Sequence, residues 1–177
     1  NIYYVVFSIF ELSVPESLPN NILKKELKDA IKKLGINKDN LDIFKFKVRS
    51  FPKYRQKILD ILINLRNKIN PDLVLMPCIN DIHQDHKTVA IEGKRAFKKT
   101  TLLGYEMPWN NYSIDCDLFF KLKKRHIKTK LEAVNCYQSQ KDREYIDEKF
   151  ICNLASLRGM QIGEKYAEMF EVIRIII

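Results

Sequence analysis

The segment Asp81-Ile82-His83-Gln84-Asp85-His86 gathers the side chains of this chain best suited to chemistry. The protein has 3 histidines, and two of them stand three positions apart here, with aspartates before and between them. Imidazole and carboxylate groups bind transition metals and move protons near neutral pH. The segment follows an apolar run, Leu73-Val74-Leu75-Met76-Pro77, that reads as a buried strand, and it precedes a stretch of helical periodicity. Open α/β sheets place ligands at such strand-to-helix exits, beyond the carboxyl ends of the strands. The pattern therefore points to a hydrolytic metal site, or part of one.

The following helix, expected over about 85–99, carries an apolar stripe at Val89, Ala90, Gly93, Ala96 and Phe97. His86 precedes Val89 and Ala90 by three and four positions, so it shares their face and should look toward the sheet. Lys87, Lys94, Arg95, Lys98 and Lys99 fall on the opposite, wet side. Gly93 would let helix and sheet approach closely. Asp85 is expected to hold a ring nitrogen of a histidine, fixing its tautomer. Asp81 reads as a second ligand, a helix N-cap or a substrate contact. His126, among Lys123, Lys124, Arg125 and Lys128, reads as a surface residue. A catalytic zinc takes three protein ligands and a water, and this segment offers His86 and at most one more.

The elements that must hold the segment follow from periodicity. Ile2 to Phe7 is an unbroken apolar run, the signature of a strand covered on both faces in a parallel sheet. Residues 13–21 carry two prolines and read as a loop. Ile22, Leu23, Leu27, Ala30, Ile31 and Leu34 form a helical stripe ended by Gly35 at C′. Leu41 to Val48 reads as a second strand. About 54–69 is a helix stopped by Asn70-Pro71, and Leu73 to Met76 is the third strand. Strand, long helix and strand suggest a right-handed parallel βαβ unit. Residues 104–107 can close a further short strand, and 118–122 is open between strand and helix. Helices are expected near 124–137 and 147–164, with a last strand over 170–177. The fold class is α/β, a Rossmann-like three-layer domain with a mostly parallel sheet, and 1–177 reads as a single domain.

Composition bounds the partners. The chain is 46% apolar and 30% charged, ordinary for a globular protein. No apolar stretch approaches the ~20 residues of a membrane span, and no secretory leader is recognised. Cys78, Cys116, Cys136 and Cys152 form no C-x-x-C pair, so they read as isolated buried thiols of a reducing compartment, with the cytoplasm as the expected location. The formal net charge of +9 attracts anions. A nucleic-acid groove would interleave aromatics with the basic residues, so nucleic acid is not expected; a phosphorylated or nucleotide-linked small molecule suits the charge. Arg49 and Arg55 flank the exit of the second strand, as contacts for an anionic sugar or simply as solvated arginines. Tyr105-Glu106-Met107-Pro108-Trp109 sets the only tryptophan near an acid, so Glu106 and Trp109 are candidate sugar contacts, or a rim over the core. A homo-oligomer is compatible with the sequence.

These residues resemble the LmbE-like (PIG-L) zinc-dependent deacetylases, which remove acetyl from N-acetylglucosamine-type sugars. The family's second motif, H-x-D-H after a buried strand, is matched by His83-Gln84-Asp85-His86. Ile2 to Ser8 resembles the family's second strand, and Glu26 through Leu34-Gly35 its next helix and turn. Pro71-Asp72-Leu73-Val74 matches the approach to the motif. Tyr137-Gln138-Ser139-Gln140, Arg158-Gly159 and Tyr166-Ala167-Glu168-Met169-Phe170 resemble the C-terminal blocks. The resemblance implies zinc bound by His86, with His83 stabilising the tetrahedral intermediate or donating a proton and Asp85 orienting a histidine. Small amino-sugar conjugates are the implied substrates.

Three departures stand out. No segment matches the family's first motif, H-P-D-D, which supplies two zinc ligands and the general base, and the family's first strand is not represented. Leu23 stands where some members have arginine, and Asp81 where some have tyrosine. The residues 1–177 alone are thus expected to be inactive, and the complete protein active. The alternatives are another metal-dependent hydrolase, acting on phosphoesters, and a non-catalytic nucleic-acid or protein-binding module on the same fold.

Overall fold

The computed structural model describes residues 1–9, 14, 17–19, 21–113 and 118–177. Cys116 and part of the expected 13–21 loop lie outside the described residues. Along the chain run β1 (Tyr4–Val6), α1 (Ile22–Lys33), β2 (Leu41–Ile43), α2 (Arg55–Ile69), β3 (Leu73–Pro77), α3 (Gln84–Ala96), β4 (Thr101–Tyr105), β5 (Leu118–Lys121), α4 (Lys124–Val134), α5 (Glu148–Gln161) and β6 (Ala167–Arg174). The α/β class expected from the sequence is the class observed. The chain forms two compact units, one of Asn1–Lys47 with Lys121–Glu168, the other of Val48–Phe120 with Met169–Ile177.

In the first unit β1 and β2 pair in parallel, Tyr4 opposite Leu41 and Val6 opposite Ile43. The intervening α1 ends as its sequence predicts. Gly35 adopts φ +71, Gly35 N–H bonds back to Lys32 and Ile36 N–H to Ile31, closing a Schellman turn. Leu27, Ala30 and Ile31 of α1 and Ile127 and Ala133 of α4 are buried. Glu26 is buried as well, its carboxylate accepting from the Ser139 N–H at 2.8 Å and the Ser139 hydroxyl at 2.6 Å. A sequence block on α1 is thus tied to one more than a hundred residues later. The expectation that the 2–7 run is covered on both faces is not met: Ile2, Tyr3 and Tyr4 are exposed, and Val5 and Val6 are half-buried. His126 is exposed, as expected.

The second unit contains the histidine segment. The strand order β3-β4-β6-β5 is mixed: β3 and β4 are parallel, β4 and β6 antiparallel. The parallel partner of β3 is β4, joined to it through α3, and that of β2 is β1. Parallel βαβ units therefore form around α1 and around α3 and not, as periodicity suggested, around α2, whose flanking strands β2 and β3 belong to different sheets. The apolar run of β3 also misled: Met76 is buried, yet Leu73 and Leu75, which share one face of the strand, are exposed. Gly93 of α3 packs as anticipated; a Cβ there would sit 2.7 Å from the Met76 sulfur. Ile58, Leu62 and Leu65 of α2 and Leu102 and Leu103 of β4 are buried in this unit's core.

Several carboxylates are buried among the described residues, and Glu92 is the most deeply buried of them. Glu92 on α3 is fully buried, and its two oxygens meet Arg55 Nε at 2.7 Å and Arg95 at 2.5 Å. A carboxylate without water is tolerated only when its oxygens are met this way. Replacing both arginines by methionine strands that charge, and should lower the unfolding free energy by roughly 3 kcal/mol in urea titrations. Adding Glu92→Met should restore most of the loss; a triple variant no more stable than the double would contradict the assignment.

Candidate active site

The turn between β3 and α3 is short and closed on itself, Asp81 N–H bonding to the Cys78 carbonyl at 3.2 Å. This puts Asp81 under the first turn of α3, with only 1% of its surface exposed. Its two oxygens then divide the work. Oδ1 accepts the His83 backbone N–H at 2.7 Å, and Oδ2 lies 2.9 Å from Nδ1 of His86. A carboxylate only accepts, so the hydrogen of that pair resides on Nδ1, and Nε2 of a neutral His86 is left with a bare lone pair. Asn110 lies beside the same ring, its side-chain Nδ2 3.3 Å from an Nδ1 whose hydrogen already goes to Asp81, while its backbone carbonyl accepts the Ile82 N–H.

His83 is the N-cap of α3. Its Nδ1 accepts the Asp85 backbone N–H at 3.2 Å. A nitrogen that accepts cannot carry the hydrogen, so neutral His83 is protonated on Nε2. The two rings stack, centroids 4.4 Å apart and 25° from parallel. They are held in opposite tautomers: one offers a lone pair at Nε2, the other a hydrogen. The His83 pKa lies below its ordinary 6.5, first because of burial and next because of the His86 charge; Asp85 and Asp81 pull it up, and Arg49 pushes it down.

Asp85 does not do what the sequence suggested. Its carboxylate reaches no imidazole. It is buried, and accepts the backbone N–H groups of Arg49 and Phe51. The ring-holding role belongs to Asp81, because the turn puts Asp81 beneath His86 while the pitch of α3 aims Asp85 at the segment before α2. Asp81 is equally not the N-cap, since His83 fills that position. Arg49 sits at φ +63, a region costly for any residue with a side chain. Asp85 holds its N–H there and the Gln84 side chain holds its carbonyl.

Of the remaining candidates, Arg55 is engaged with Glu92. Glu106 and Trp109 follow β4 in the loop whose Asn110 backbone carbonyl accepts the Ile82 N–H, and Trp109 is exposed. Asn110 was missed; the signal was the asparagine pair after Pro108-Trp109, a turn-forming sequence at a strand exit. Among the described residues no group of three or more His, Cys, Asp or Glu side chains is placed to hold a metal ion. An imidazole with one nitrogen on a carboxylate and the other bare is the usual form of a metal-ligating histidine. The residues here fit one such ligand with its support, and do not by themselves enclose a cation. No helix among the described residues is long and apolar enough to cross a membrane.

Comparison with known proteins adds the following. The PIG-L family model, described as GlcNAc-PI de-N-acetylase, matches residues 16–97. No curated protein sequence matches the chain. The N,N'-diacetylchitobiose deacetylase of Pyrococcus horikoshii is similar in structure, with a TM-score of 0.76 and 20% identity over 98% of this chain and 73% of that one. A 4-carboxy-2-hydroxymuconate hydratase of Pseudomonas putida follows at 0.74 and 15%, covering 98% and 84%. The zinc inhibited form of a teicoplanin deacetylase gives 0.67 and 15%, covering 85% and 73%. At such identities the likeness establishes the fold, which hosts hydration as well as deacetylation.

The placement of His83 has a pH consequence. Its folded pKa lies below the unfolded value, so in the window beneath 6.5 the unfolded chain binds a proton that the folded chain refuses. This contribution makes stability fall as pH drops through that window. NMR titration should place the His83 midpoint below 6.5, and His83→Gln should flatten that part of the stability profile. A midpoint at or above 6.5 would contradict the described environment.

Proposed function

We propose that this chain, whose residues 16–97 match the PIG-L family model, belongs to a hydrolase that removes the N-acetyl group from an N-acetylglucosamine-type sugar or sugar conjugate. The observation that carries the reading is the pair of stacked imidazoles in opposite tautomers at the carboxyl end of β3. Amide hydrolysis needs a donor for the oxyanion that forms as the carbonyl becomes tetrahedral. His83 suits that role, being neutral, with Nε2–H as its only donor and its other nitrogen fixed by the helix N-terminus. A hydrogen that stays on a neutral ring at neutral pH can be donated to the oxyanion as a hydrogen bond without leaving the ring.

His86 suits a different role. Asp81 fixes its ring so that bare Nε2 is available as a ligand for a divalent cation, zinc in this proposal. Such a cation, when bound, polarises the acetamide carbonyl and acidifies a water. Asp81 and Asp85 have both oxygens occupied by backbone or ring N–H groups, so neither serves as the base in this scheme. The excess of positive charge favours an anionic conjugate, phosphate- or nucleotide-linked. Trp109, exposed in the loop after β4, is assigned to packing on the sugar.

The full-length protein supplied with zinc should release acetate from N-acetylglucosamine conjugates. His83→Ala should lower kcat by about a hundred- to thousandfold, the range for losing one preorganised oxyanion donor, with KM moved far less. His86→Ala should weaken zinc binding in competition with a chromophoric chelator. Phosphate released from phosphoesters with no acetate from amides would replace this reading by a phosphoester hydrolase. Steeply salt-dependent RNA binding without zinc uptake would replace it by a binding module.

A further inference from the structure

The turn that carries Asp81 has an anchor from far along the chain. β6 runs antiparallel to β4, with Glu171 opposite Gly104. Gly104 has no side chain, and the Glu171 side chain occupies the space: a Cβ built on Gly104 would lie 2.8 Å from Glu171 Oε2 and 3.0 Å from the Cys78 Cα. Passing over β4 in this way, Glu171 reaches the exit of β3, where Oε2 accepts the Ile79 backbone N–H at 2.8 Å. Ile79 lies inside the 78–81 turn that Asp81 N–H closes onto the Cys78 carbonyl. Cys78 is fixed as well, its Sγ 3.2 Å from the Tyr105 carbonyl. Among the described residues no lysine, arginine or histidine forms an ion pair with Glu171, so its structural partner is the turn itself.

We propose that Glu171 is a positioning residue for the active site: it holds the Ile79 N–H, thereby sets the 78–81 turn, and so places the Asp81 carboxylate that fixes the ring of His86. This deepens the deacetylase reading and, for its kinetic arm, rests on it. The chain of contacts is short. Without the acceptor at Ile79 the turn can rotate, and a small rotation moves Oδ2 off Nδ1 of His86. What Glu171 supplies is an acceptor oxygen at one point, not negative charge at the reacting atoms. An amide in the same place does the same job; an apolar side chain of similar size does not.

The test compares Glu171→Gln, Glu171→Met and Glu171→Ala in the full-length protein, with N-acetylglucosamine conjugates as the probe substrate and thermal melting as the control for folding. Glu171→Met fills the space above Gly104 without an acceptor, so the contrast of Met with Gln remains decisive if the alanine variant does not fold. The expected result is a kcat about ten- to hundredfold lower in Glu171→Met, the range for losing an outer partner of a site, with KM nearly unchanged and activity retained in Glu171→Gln. A second readout needs no turnover: the hydrogen-bonded Nδ1–H signal of His86 in proton–nitrogen NMR spectra should be lost or shifted in Glu171→Met and kept in Glu171→Gln. Wild-type signals from both methionine and glutamine variants would overturn the proposal. So would a glutamine variant as impaired as the methionine one, since charge and not the acceptor would then be what matters. If the NMR contrast appears while wild type releases no acetate, the positioning role stands and the assigned reaction fails.

Discussion

Everything at the carboxyl end of β3 depends on how one buried carboxylate is shared. Asp81 is almost wholly out of water, a placement that costs several kcal/mol unless both oxygens are met. One oxygen takes a backbone N–H at the start of α3, and the other takes a ring N–H one helical turn further on. The first contact starts the helix, and the second orients the histidine that the helix presents. Backbone geometry and side-chain chemistry are therefore coupled through a single group. Moving Asp81 by a fraction of an ångström would disturb both.

The two histidines are neighbours with different roles because they meet different partners. His86 meets a carboxylate and must donate from Nδ1; His83 meets an amide hydrogen and must accept at Nδ1. Stacking at 4.4 Å then discourages protonation of both rings together, since like charges at that separation repel. The supports of this arrangement come from three places in the second unit: the turn itself, the loop after β4 through the Asn110 backbone carbonyl on Ile82 N–H, and β6 through Glu171. A strand exit in an α/β fold offers such convergence because several chain segments end on one edge of the sheet.

Much of this was legible in the residues. The histidine pair, the strand before it and the helix after it follow from apolar periodicity, and Gly35 and Gly93 were read for what they do. Partner choice was not legible. Asp81 and Asp85 are the same residue type four positions apart, and only the path of the turn decides which one lies beneath the ring. Nothing local marks Glu171 as the acceptor for an amide 92 positions away, since that contact exists only once β6 has paired with β4. The apolar run of β3 suggested a buried strand, but burial depends on what packs against each face, which composition does not record. Arg55 looked free for an anion, and a buried glutamate on α3 claims it.

The most direct test is the tautomeric state of the two rings. Nitrogen-15 spectra of histidine-labelled protein, recorded above the titration range, should show His86 protonated on Nδ1 and His83 protonated on Nε2. Two rings in the same tautomer, or His86 carrying its hydrogen on Nε2, would mean that Asp81 does not hold the imidazole and that the proposed division of labour has no physical basis.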